Sequence, residues 1–286
     1  DGPGIRTAVF FKGCPMSCQW CANPETKKTF PQLLYYKNKC ANCGKCIASC
    51  QKGAILYRDE KIRRLREKCD NCGDCVRACP NGARKITGEL KTPQEVFEII
   101  NQDKVFYEQS GGGVTFSGGE PFLHVDFIRQ TALKCKAEGY NVAVETCGVF
   151  DLNQVLKIID AVDLLLFDIK IIDDEKHIKY CGNSNRIIHE NFDALAGMIK
   201  IIPRIPVIPG VNDTEGDIAL LCRFLSKYKG KIDTVHILPY HNLGICKYEA
   251  LEEDYQLDEI TAPSLGHMEK IKRTIEDYGF KVNIGG

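Results

Sequence analysis

Short apolar runs recur along the chain at 7–11, 114–116, 141–145, 164–169, 200–207, 234–238 and 281–284. Between the later runs, near 93–109, 124–138, 151–160, 189–199, 214–228 and 264–278, apolar residues follow a helical spacing. The runs are nearly continuous, which predicts strands buried on both faces. Strands separated by helices predict a parallel sheet with the helices packed outside it. Thr92-Pro93 supplies a helix start, an N-cap followed by proline at the first helical position. The expected fold is α/β, a wholly or partly closed β/α barrel, which places its functional groups at the C-terminal ends of its strands.

Polar residues do gather at those ends. Ser117-Gly118-Gly119-Glu120-Pro121 follows the second run and Glu145-Thr146-Cys147-Gly148 closes the third. Asp168-Ile169-Lys170 closes the fourth, Arg204 lies within the fifth, and Pro239-Tyr240-His241 follows the sixth. Taken singly, each reads as a turn, a cap or a salt bridge. Repeated at end after end, they predict a ligand site. Paired glycines let a ligand approach the backbone, and Glu120 offers a carboxylate to an ammonium.

Between the first run and the first helix, cysteine dominates. Cys14, Cys18 and Cys21, with Trp20 beside the last, give three ligands where a cubane has four irons, so one iron would stay open for chelation by an amino acid's amine and carboxylate. Cys40, Cys43, Cys46, Cys50 and Cys69, Cys72, Cys75, Cys79 each repeat the C-x2-C-x2-C-x3-C spacing of two-cluster bacterial ferredoxins. In those the fourth cysteine ligates the other cluster. Cys40, Cys43, Cys46 and Cys79 are therefore expected to hold one cluster, and Cys69, Cys72, Cys75 and Cys50 the other. Gly53-Ala54-Ile55 trails the first run and Gly82-Ala83-Arg84 the second, a duplication that marks 31–86 as a ferredoxin-like insert in a barrel domain of 1–30 and 87–286. One departure is Gln51 after Cys50, where Pro80 follows Cys79. Zinc knuckles are the rival reading, but runs of four with this spacing suit iron–sulfur better. Disulfides are disfavoured, since thiols two residues apart converge on a metal more readily than they crosslink. The remaining Cys135, Cys147, Cys181, Cys222 and Cys246 read as small buried hydrophobes.

At 286 residues and 44% hydrophobic, the chain can bury a core without crosslinks. Lys+Arg and Asp+Glu both number 38, so there is no electrostatic case for nucleic acid or an anionic membrane. The basic stretch 61–68 reads as solvated surface. No apolar run approaches the roughly 20 residues of a membrane span, and no secretory signal is visible. The abrupt start at Asp1-Gly2-Pro3-Gly4 suggests a native N-terminus further upstream.

Asp1-Gly2-Pro3-Gly4-Ile5-Arg6-Thr7, Cys14-x3-Cys18-x2-Cys21, Ser117-Gly118-Gly119-Glu120, Asp168-x-Lys170 and Leu238-Pro239-Tyr240-His241 together resemble the radical S-adenosylmethionine (SAM) enzymes. Within them the chain is similar to the activating enzymes of glycyl radical enzymes, in the larger pyruvate formate-lyase activating enzyme-like subgroup with a two-cluster insert. The resemblance implies a partial (β/α)6 TIM-like barrel, three [4Fe-4S] clusters, and oxidoreductase activity of class EC 1.97.1.-. SAM would be cleaved reductively to a 5′-deoxyadenosyl radical that abstracts a hydrogen from a glycine of a partner enzyme. By resemblance Cys14, Cys18 and Cys21 hold the catalytic cluster and Trp20 lies near the adenine. Gly118, Gly119 and Glu120 take the methionyl amine, Asp168, Lys170 and His241 the ribose or carboxylate end, and Asp1 the partner's glycine loop. Arg204 completes the expected site. Glu145 and Thr146 stand where some relatives bind a monovalent cation, and Cys181-Gly182 where relatives often carry threonine-glycine. Flavodoxin or ferredoxin is the implied reductant and the cytoplasm of an anaerobic or facultative microbe the implied setting. Two other readings share part of the pattern: a radical enzyme acting on a small molecule, and an electron-transfer iron–sulfur protein.

Overall fold

The structure, a computed structural model, describes residues 2–58 and 61–285. Strands β1 (Arg6–Phe11), β6 (Gly113–Gly118), β7 (Asn141–Thr146), β8 (Leu164–Asp168), β9 (Ile201–Val207), β10 (Thr234–Pro239) and β11 (Lys281–Ile284) form one sheet in that spatial order. Every neighbouring pair is parallel. The cysteine-rich segment supplies β2 (Gln32–Tyr35), β3 (Ile55–Arg58), β4 (Lys61–Arg64) and β5 (Arg84–Thr87). Helices α1 (Lys45–Ala48) and α2 (Asp74–Arg77) lie there too. The others are α3 (Pro93–Asn101), α4 (Lys104–Ser110), α5 (Val125–Ala137), α6 (Leu152–Leu156), α7 (Asp174–Cys181), α8 (Arg186–Leu195), α9 (Glu215–Ser226), α10 (Ile245–Leu251) and α11 (Leu265–Glu276).

Sequential strand order with parallel pairing is that of a β/α barrel. β1 and β11 each have one neighbour in the sheet, so the barrel stays open. It has seven strands where a (β/α)6 unit has six. The extra one is β11, which follows α11 and pairs with β10, burying Val282 beside Val235. The continuous apolar runs are central strands: Val114, Phe116, Val142, Val144, Leu165 and Phe167 are wholly buried. No helix among the described residues is long and apolar enough to cross a membrane.

Helix starts follow local chemistry. Thr92 and Glu95 form a reciprocal capping box with Pro93 in the first turn. The single helix expected over 93–109 breaks into α3 and α4 at Gln102-Asp103, where the Asp103 carboxylate accepts the Thr7 hydroxyl at 2.7 Å. The helix expected at 189–199 runs instead over Arg186–Leu195. Neither α7 nor α10 was expected; both are short, and no long apolar period announces them.

In the insert, β2 pairs antiparallel with β5 and β3 with β4. Leu33, Cys46, Ile55, Ile62 and Cys75 form its small core. Leu34 packs against Ala250 and Leu251 of α10. Arg64 donates to Glu252 at 2.9 Å and to the carbonyls of Leu33 at 2.8 Å and Leu251 at 3.2 Å. Arg66 reaches Glu253 and the Leu251 carbonyl. Within the basic stretch 61–68, expected as solvated surface, Lys61, Arg63, Arg66 and Lys68 are exposed as expected, whereas Arg64 is withdrawn into the seam between insert and barrel. Glu252, just after α10, draws Arg64 inward, and Glu253 pairs with Arg66 at the surface, pairings invisible in local sequence.

Candidate active site

β1 ends at Phe11, and the chain turns through Gly13 into the three-cysteine loop. Two elements clamp that loop. On one side Gly119 N–H donates to the Phe11 carbonyl at 2.9 Å and Glu120 N–H to the Gly13 carbonyl at 2.7 Å. On the other, Ser17 N–H donates to the Cys181 carbonyl at 2.9 Å and Gln19 N–H to that of Tyr180 at 3.0 Å, at the end of α7. Glycine is required at both contacts: a Cβ on Gly119 would stand 2.0 Å from the Gly13 oxygen, and one on Gly182 1.9 Å from the Ser17 Oγ.

The loop faces a cavity of about 230 Å³ at the C-terminal edge of the sheet. Cys14, Cys18, Trp20 and Cys21 line one wall, and Gly118, Gly119, Glu145, Asp168, Lys170, Arg204 and His241 come to it from successive strand ends. Thus residues far apart in sequence meet. Two expected residues do not join them. Asp1 lies outside the described residues. Glu120 is wholly buried behind the wall, its carboxylate accepting Phe122 N–H at 3.1 Å, Cys147 N–H at 2.8 Å and the Thr146 hydroxyl at 2.9 Å. Burial pushes its pKa up to about 7 despite those donors. Its place is that of a strut between the β6 and β7 ends.

The cavity floor is an ion lattice. Lys170 Nζ lies 2.6 Å from Asp168, and Arg204 spans Asp168 at 2.9 Å and Glu145 at 2.7 Å. Burial opposes the ionisation of Asp168, but Arg204 and Lys170 outweigh it and hold the carboxyl below its ordinary range. Burial likewise opposes the charge on Lys170, and Asp168 with the neighbouring thiols overcomes it and raises the pKa. Paired and nearly neutral, the lattice offers preorganised donors and acceptors to a zwitterionic amino-acid group.

Two functional neighbours escaped the sequence. The Cys147 thiol stands beside Cys14 and the Cys181 thiol beside Cys18, and each holds its loop cysteine's pKa down. This favours the thiolate, the ligating form. Burial pushes Cys21 up to about 11. Cys135, Cys147, Cys181 and Cys222 are buried as expected, whereas Cys246 is exposed, because its turn of α10 faces outward. Their only sequence signal was position: Cys147 closes a strand, and Cys181 precedes a left-handed glycine.

The insert forms two further thiol-lined basins. Cys40, Cys43, Cys46 and Cys79 line one, with Tyr35 and Arg84; Cys50, Cys69, Cys72 and Cys75 line the other, with Leu33 and Ile55. Each basin thus takes its fourth cysteine from the opposite half. Among the described residues no three His, Cys, Asp or Glu side chains converge tightly enough to hold a single metal ion. The thiols ring a wider space, and soft sulfur donors in such a ring fit an iron–sulfur cluster. Arg84 reinforces the fit: it is 2% exposed, and neither Nη atom has a hydrogen-bond partner, so its charge calls for an anion in that basin.

Three loop thiols beside a polar cavity at the strand ends of an open β/α barrel suit a sulfur-ligated redox centre. Residues 8–222 match the Radical SAM superfamily. The trans-4-hydroxy-L-proline dehydratase activating enzyme of Clostridioides difficile is 43% identical over 290 residues, covering 100% of this chain and 95% of the relative. The choline trimethylamine-lyase activating enzyme of Oleidesulfovibrio alaskensis is 38% identical, covering 99% and 94%. Among solved structures, a domain of pyruvate-formate lyase-activating enzyme from Bacteroides vulgatus superposes with a TM-score of 0.53 at 32% identity, covering 62% of this chain and all of that domain. The chain belongs to the radical SAM superfamily and, within it, to the activating enzymes of glycyl radical enzymes.

Proposed function

We propose that the strand-end cavity is where this activating enzyme binds SAM. Its activity is reductive cleavage of SAM to an adenosyl radical, followed by removal of a hydrogen from a glycine of a partner glycyl radical enzyme. The observation that carries the assignment is the meeting of three loop thiols with Asp168, Lys170, Arg204 and Glu145 in one cavity. Cys14, Cys18 and Cys21 would hold a [4Fe-4S] cluster, which when bound supplies the electron and an open iron for the amino-acid end of SAM. Gly118 and Gly119 present backbone to the methionyl amine, while Asp168, Lys170 and His241 orient the carboxylate and ribose. Arg204 fixes Asp168 and Glu145, and Trp20 covers the adenine. Glu120 braces the wall through Thr146 and Cys147, which line the cavity. None of these groups needs to move a proton; the protein's part is orientation and exclusion of water.

The two insert basins would hold further [4Fe-4S] clusters that relay electrons from a flavodoxin or ferredoxin. Anaerobic assay of 5′-deoxyadenosine, after iron and sulfide loading and dithionite reduction, should give product with wild type and none with Cys18→Ala. A glycine-centred radical signal in an added partner would complete the case. Absence of product from a fully loaded, reducible protein would refute the reading. For the relay, replacing Cys43 and Cys72 should slow activation by a protein reductant; an unchanged rate would remove that role.

A further inference from the structure

The insert's two halves are built alike, yet the residue that opens the strand after each cysteine run differs in charge. Ile55 trails the first cysteine run as Arg84 trails the second, each after Gly-Ala, and each opens a strand that borders a basin. Because the fourth cysteine crosses over, Ile55 lines the basin of Cys69, Cys72, Cys75 and Cys50, and Arg84 that of Cys40, Cys43, Cys46 and Cys79. The corresponding strands show the same swap in reverse: Tyr35 of β2 stands where β4 has Arg64. Arg64 is neutralised by Glu252, whereas the Arg84 guanidinium stacks on the Tyr35 ring at 4.4 Å and finds no hydrogen-bond acceptor for either Nη. Among the described residues no carboxylate lines the Arg84 basin. The other basin has Asp70, paired with Lys52, and Asp74, paired with Arg77, both pairs at the surface.

We propose that Arg84 separates the two insert clusters in potential, holding the one on Cys40, Cys43, Cys46 and Cys79 above the one on Cys69, Cys72, Cys75 and Cys50. The inference rests on the reading that both basins hold clusters. A cubane with four thiolates is an anion and gains a further negative charge on one-electron reduction. A buried, uncompensated cation beside it therefore stabilises the reduced form. Exposed pairs at the second basin are screened and do little. The Arg84 charge also reaches Cys75 of the second basin, so both potentials feel it, but Arg84 lines only the first. An electron from a low-potential donor would then come to rest on the Arg84 side of the insert. Arg84 is a positioning residue for that electron.

The test is an EPR-monitored redox titration of the full chain, reconstituted, in a background with Cys14, Cys18 and Cys21 all replaced by alanine. Dithionite and ferricyanide serve as reductant and oxidant, with redox mediators. Two cubanes' worth of iron in that background establishes the underlying reading independently; a lack of them would sink that reading and not merely the role of Arg84. Arg84→Gln should shift the one-electron equilibrium of one cluster at least about tenfold toward oxidised, about 59 mV, and that of the other by less than half as much. Arg84→Lys should keep most of the wild-type gap. Arg84→Ile, which copies what the other half accommodates, stands in if the Gln variant loads poorly. Equal shifts of both clusters, no shift, or loss of one cluster from both the Gln and Ile variants would overturn the proposal.

Discussion

Replacing Gly119 by alanine tests why the site has paired glycines. The added methyl would sit 2.0 Å from the Gly13 oxygen, 2.7 Å from its carbon and 3.0 Å from the Thr26 oxygen. All three are backbone atoms, so no side chain can rotate away. The β6 turn must retreat from the cysteine loop, weakening the Gly119–Phe11 and Glu120–Gly13 hydrogen bonds of 2.9 and 2.7 Å. Two such bonds contribute about 1 kcal/mol each, and forcing a methyl into a packed contact costs about 1–3 kcal/mol. The sum is about 3–5 kcal/mol. At about 2–4 °C per kcal/mol for chains of this order of size, the melting temperature should fall by about 6–20 °C. Anaerobic thermal unfolding followed by circular dichroism, with iron analysis, is the assay. Gly266→Ala in α11, where nothing lies within 4 Å, is the control and should gain about 0.5–1 kcal/mol. If Gly119→Ala kept both its melting temperature and its iron and lost only SAM binding, the glycine would serve ligand approach, and the packing argument would be wrong.

Other outcomes follow from the same structure. Lys170→Met removes a 2.6 Å charge-assisted bond to Asp168 and should weaken SAM binding about 10–100-fold with iron content intact; an unchanged equilibrium-dialysis affinity would exclude Lys170 from the site. Arg64→Met leaves Glu252 without its partner and should cost about 3–5 kcal/mol, opening the seam so that limited proteolysis cuts faster within 31–86. A digestion pattern like wild type would contradict this. Burial, with help from His177 and Lys227, pushes His189 down to about 4 from an ordinary 6.5. The unfolded chain then binds a proton that the folded one refuses, so stability present at neutral pH is lost as pH falls from 6.5 toward 4. The full effect would be about 3 kcal/mol, and partial exposure of the ring roughly halves it. Urea midpoints at about pH 7 and about pH 5 should therefore differ less for His189→Phe than for wild type, and equal differences would refute it.

What the sequence determined was whatever is local or periodic. Apolar runs named the seven sheet strands, most plainly β6 and β8, where burial on both faces leaves no room for alternation. Cysteine spacing named the thiol groups, because ligands a few residues apart reach a common centre along almost any path the chain takes. Even the strand-end polar groups were legible, since a parallel sheet brings its C-terminal ends to one side. The tertiary structure decided what depends on direction and distant neighbours. Glu120 shares a motif with two cavity glycines yet is wholly buried, because Thr146 and Cys147 at the end of the next strand supply the donors that hold its carboxylate. Cys147 and Cys181 look like ordinary core residues until folding sets them beside Cys14 and Cys18. Arg64 in the basic run at 61–68 looks solvated like its neighbours until Glu252, nearly the length of the barrel away in sequence, draws it inward. Arg84 and Ile55 occupy matching places in a repeat, and only the crossing of the two halves shows which thiols each one faces. Spacing fixes what a segment can bind. The electrostatics of a site depend on charges and dipoles within a few ångströms, and those come mostly from other segments.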